Sequence, residues 1–118
     1  MARIEDIARA VLSGDALQVR SLVQELGEQV TDLGTVARPR STDEQTLVVA
    51  AAIIELLAQR AGQNAPAWTQ DIGSLAEPRY LVKAADRMPH LRELCRRESP
   101  EPLRRRGLLA PPNYLSAA

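Results

Sequence analysis

The sequence predicts an all-α fold, a small bundle of about five to six helices with one central apolar helix and an extended C-terminal strap. Two observations carry that prediction. Among 53 apolar residues in 118, Ala supplies 18 and Leu 16, against 13 for Val and Ile together and no Phe, a bias toward helix and away from sheet. The apolar positions also recur at three- and four-residue spacing between Gly, Pro and capping residues. The length suits a single domain over 1–118, with an N-terminal helical pair over 1–34 and a bundle plus strap over 42–118.

Ile4, Ile7, Ala8 and Val11 form the i, i+3, i+4, i+7 set of an amphipathic helix over 3–12, closed by Ser13-Gly14. Asp15 caps a second helix, whose stripe Val19, Leu22, Val23, Leu26, Val30 and Leu33 is weakened at Gly27 and ends at Gly34. Residues 36–41 make a loop. Ser41 and Glu44 have capping-box spacing and open the longest helix, about 42–61, which is apolar on nearly every face between Leu47 and Ala58. Such a helix belongs in the middle of a bundle, or completes a dimer interface.

Residues 63–78, with two Pro, one Gly and Trp68, read as a loop holding one short helical turn after Thr69. Pro78 suits the first turn of a helix over 79–85. Asp86 suits the cap of another, with Pro89 in its first turn and Met88, Leu91, Leu94 and Cys95 facing inward. Ser99-Pro100 opens a helix of about two turns that stops at Gly107. Residues 108–118 then form the strap, anchored by Tyr114 and Leu115.

Fifteen basic and fifteen acidic residues cancel, and fourteen of the basic ones are Arg. The balance hides a separation: residues 1–58 hold 5 basic and 9 acidic side chains, residues 59–118 hold 10 and 6. Arg92, Arg96, Arg97, Arg104, Arg105 and Arg106 carry most of the basic half. One reading is an anion site for phosphate or an acidic partner. The other sets these cations against a helix C-terminus, with Glu93–Arg97 and Glu101–Arg105 pairs four apart. Three consecutive helical residues fan over roughly 200°, so Arg104, Arg105 and Arg106 cannot converge on one ligand, and no aromatic interleaves to stack bases. Intramolecular or subunit-to-subunit pairing is therefore the expectation.

His90 with Asp86 and Glu93 is too thin a set for zinc, and Cys95 lies on another face of that helix, so no cofactor, metal or catalytic residue is expected. Trp68 reads as a plug for the bundle end ahead of a binding hot spot. Helices one and two mimic a helix-turn-helix, but Arg20 is the second helix's only cation against Glu25, Glu28 and Asp32. A lone Cys and an acidic N-terminal stretch point to a cytoplasmic chain. The longest apolar run, eight residues from Leu47 to Ile54, falls short of the ~20 that span a bilayer.

Ala65-Pro-Ala-Trp-Thr, Glu77-Pro-Arg-Tyr, Glu98-Ser-Pro, Leu103-Arg-Arg-Arg-Gly and Pro112-Asn-Tyr-Leu follow in that order. In this, residues 44–118 resemble a group of bacterial helical proteins that occur as small free-standing chains or as a domain behind an Xre-type helix-turn-helix. The Ser-Gly-Asp-Ala-Leu start of helix two is a weaker match. The resemblance implies an all-helical fold and a toxin–antitoxin-like or regulatory gene-pair context, and it brings no catalytic residues. The expected function is thus a non-enzymatic protein-interaction module that binds a protein partner or a second copy of itself through the 44–61 helix. Its candidate contact residues are Trp68, Arg97, Arg104, Arg105, Arg106 and Tyr114. An Arg-dependent nucleic-acid binder is the alternative and an enzyme the third reading; neither nucleic acid nor membrane is the expected partner.

Overall fold

A computed structural model of the chain describes residues 2–115. Helix α1 (Ile4–Ser13) buries Ile4, Ile7, Ala8, Ala10 and Val11 on one face. Gly14 ends it in the left-handed region, φ 76°, so that the Gly14 and Asp15 N–H groups return to the Val11 and Ala10 carbonyls. The Asp15 carboxylate then accepts the Gln18 N–H at 3.0 Å and opens α2 (Ala16–Gln29). Helix α2 passes through Gly27 and stops at Gln29, short of the expected Gly34. The cause lies elsewhere in the chain: the Gln63 side chain accepts the Leu33 N–H at 2.8 Å and donates to the Thr31 carbonyl at 3.0 Å. The Asp32 carboxylate accepts the Gly34 N–H, and Leu33 is buried in a 3₁₀ turn, Leu33–Thr35.

Helix α3 (Glu44–Arg60) is the centre of the molecule. Its cap is Asp43, whose carboxylate accepts from both the N–H and the hydroxyl of Thr46. The expected Ser41–Glu44 capping box does not form, because the Ser41 hydroxyl accepts the Asp43 N–H and Asp43 outcompetes it as the helix acceptor. Every residue from Val48 to Leu56 is buried, and the small side chains Ala50, Ala51 and Ala52 let neighbours come close. Helices α1 and α5 and the two 3₁₀ turns at 33–35 and 67–71 pack against it. The chain therefore encloses α3 by itself, and the apolar face once available to a second copy is covered.

Residues after Arg60 are less regular than their sequence suggests. Trp68 lies in a 3₁₀ turn, Ala67–Asp71, one residue pair earlier than the expected turn after Thr69. No helix forms over 79–85: Arg79–Tyr80 is a short strand, β1, followed by a 3₁₀ turn at Lys83–Asp86. Strand β2 (Leu108–Leu109) runs parallel to β1, in register Arg79 with Leu108 and Tyr80 with Leu109. Gly107, at φ 82°, turns the chain into that position, and the Arg79 and Leu81 N–H groups donate to Gly107 and Leu109. The architecture is the expected small all-α bundle, and this two-stranded sheet, made by long-range pairing, is a local addition to it.

Helix α4 (Pro89–Glu98) starts at Met88, not at an Asp86 cap, and α5 (Glu101–Arg104) is one turn long. Met88 is exposed where an inward side chain was expected; Leu91 and Leu94 are half-buried, and only Cys95 is fully covered. Ser99 does not cap α5. Its hydroxyl accepts the Ala110 N–H at 2.9 Å and sits against the Cys95 and Ala110 carbonyls, tying α4 to the strap. The strap is described to Leu115, so the expected stretch 116–118 lies outside the described residues. The radius of gyration, 13.3 Å, matches the roughly 13 Å of a folded domain this long. Among the described residues no helix is long and apolar enough to cross a membrane.

Candidate functional site

The six residues expected to make contacts do not form one surface. Arg106 is buried. Its Nε and Nη2 donate to the two Glu55 carboxylate oxygens at 2.9 and 3.0 Å, and its remaining N–H groups meet the carbonyls of Thr69, Ile72 and Gly73. All five guanidinium donors are thereby used, and Glu55 is the one charged residue within the apolar stretch of α3. Arg105 lies half-exposed over the same carboxylate, 2.6 Å from Oε2, so the expected Glu101–Arg105 pair is replaced by a longer-range one. Burial alone would push the Glu55 carboxyl up, but the hydrogen bonds from Arg106 and Arg105 outweigh it and hold the group below its ordinary 4.5.

Arg104 donates to the Ser99 carbonyl, and Arg97 pairs with Glu93 at 3.5 Å as its spacing predicted. Trp68 is half-buried against the core and donates its Nε1–H to the Val36 carbonyl at 2.8 Å, in the plugging role. His90 is exposed. Among the described residues no group of three His, Cys, Asp or Glu gathers in metal-binding geometry.

Two concave surfaces involve the expected contact residues: Arg105 and Arg106 line a small open cleft with Glu55, and Tyr114 borders a larger groove. A groove of about 990 Å³ runs between α2 and the strap. The buried side chains Val11, Val19 and Leu81 lie deepest in it, Ala16 and Val23 of α2 form one side, and Pro111, Tyr114 and Leu115 form the other. The spacing of Ala16, Val19, Arg20, Val23 and Gln24 makes this a single face of α2. The strap is held in place by Arg60, which donates to the Pro112 and Tyr114 carbonyls. Burial pushes the Tyr114 phenol up to about 12.

Arg20 and Lys83 are, among the described residues, the only charged ones that line the groove. The Lys83 stem crosses the α1–α2 corner so closely that a Cβ on Gly14 would stand 2.3 Å from its Cε. Sequence reasoning missed these two cations and Glu55, although each carried a signal: Lys83 is the only Lys, and Glu55 interrupts an apolar helix. Arg20 is the one cation of α2. No protein-family model, curated protein or solved structure matches the chain.

Proposed function

We propose that the protein is a non-enzymatic interaction module, antitoxin-like or regulatory in kind, whose groove beside the strap receives an apolar segment of a partner protein. The observation that carries this reading is the groove itself, a sizeable apolar concavity bordered on one side by an irregular strap. The regulatory setting is what the sequence resemblance of residues 44–118 implies, and it is proposed on that ground alone. An Arg-dependent nucleic-acid contact draws less support, because Arg106 is enclosed, Arg105 faces Glu55 and Arg97 faces Glu93.

Ala16 is exposed and opens α2, so Ala16→Trp fills the groove without disturbing the core. In pull-downs from the native host, the wild type retains a partner that both Ala16→Trp and Val23→Glu lose, while their thermal melts stay cooperative. Retention of the same partner by both folded variants refutes the assignment.

A further inference from the structure

We infer that the segment received by the groove carries carboxylates beside its apolar residues, and that Arg20 and Lys83 recognise them. This rests on the groove being a docking site and narrows what docks there. The argument is charge complementarity. Among the described residues the groove is lined by two cations and no Asp or Glu, in a chain whose formal charge is zero. Asp15 caps α2 through the Gln18 N–H, and neither Glu25 nor Glu28 lines the groove, although Glu28 accepts from the groove-lining Gln24 at 3.4 Å.

Among the described residues neither Arg20 nor Lys83 has an ion-pair or hydrogen-bond partner, whereas the Arg residues of the C-terminal helices and the strap junction mostly do. Lys83 lines the groove with its stem over Gly14, whose missing side chain leaves room for it beside the left-handed corner between α1 and α2. Leu17, three residues before Arg20 on α2, is 81% exposed and adds apolar surface to that helix. An apolar occupant with acidic flanks satisfies both parts of this surface: its side chains cover Val19 and Val23, and its carboxylates reach the two cations without leaving water entirely.

Three fluorescent peptides with one Leu- and Val-rich centre, flanked by Glu, Ser or Lys, test the inference by anisotropy. On the wild type the Glu-flanked peptide binds about fivefold or more tighter than the Ser-flanked one, the effect of two partly exposed ion pairs. Added salt reduces the gap. The double variant Arg20→Glu with Lys83→Glu reverses the order in favour of the Lys-flanked peptide, and Ala16→Trp weakens all three. Equal affinity for the three peptides overturns the charge inference and leaves the groove reading standing. An unchanged order in the folded double variant overturns it too. Failure of every peptide to bind overturns the groove reading and this inference together.

Discussion

At the scale of single residues, the Glu55–Arg106 pair matters most. Both residues are almost fully enclosed, at 8% and 5% exposure, so removing either partner leaves the other's charge poorly matched in a site with little water. Arg106→Met is expected to destabilise the fold by about 3–5 kcal/mol, since Arg105 alone remains for the carboxylate and three carbonyls lose their donor. Urea titration followed by far-UV circular dichroism reads the difference. Because the folded pKa of Glu55 is depressed, its contribution is present above the unfolded value and is lost as pH falls through the folded one. Stability of the wild type should therefore drop more steeply below about pH 4.5 than that of Glu55→Gln. Parallel slopes for the two proteins refute that assignment. Trp68→Phe keeps most of the bulk but leaves the Val36 carbonyl without its partner, a loss of about 1 kcal/mol.

Among the elements, those whose reasons are local were the legible ones. Helix α1 follows from Ile4, Ile7, Ala8 and Val11, and the central place of α3 from its apolar run. Elements fixed by distant residues were not: α2 ends where Gln63 reaches across, and 79–80 pairs with 108–109 where local propensity allowed a helix. Ser99 shows the same thing, because its side chain closes a contact with Ala110 that no neighbouring residue announces. Ser99→Ala leaves the buried Ala110 N–H unpaired, and a cost of about 1–3 kcal/mol is expected. Faster amide exchange at 108–110 would locate that cost in the strap. Gly27 presents the opposite case, a helical position with open space where a Cβ would go. Gly27→Ala should raise stability by about 0.5–1 kcal/mol, and an unchanged or lower melting temperature contradicts the reading.

Over the whole molecule, the arrangement is a helical core closed from outside by its own C-terminal third. Cys95 reports on that closure: its thiol is fully buried, and burial pushes its pKa up. A thiol reagent should modify Cys95 slowly in the native protein and rapidly in urea, whereas fast modification of the native protein means that α4 is not packed as described. Glu55 and Arg106 are 51 residues apart, which gives the closure an order in time. During synthesis α3 emerges with a carboxylate set among Ile and Leu side chains and neither of its folded-state partners, Arg105 and Arg106, yet made. Until Arg106 follows, a chain lacking residues after 98 has an unmatched charge at its centre, so the nascent N-terminal part should stay protease-sensitive and reach its native packing only when the last turn of the bundle is made.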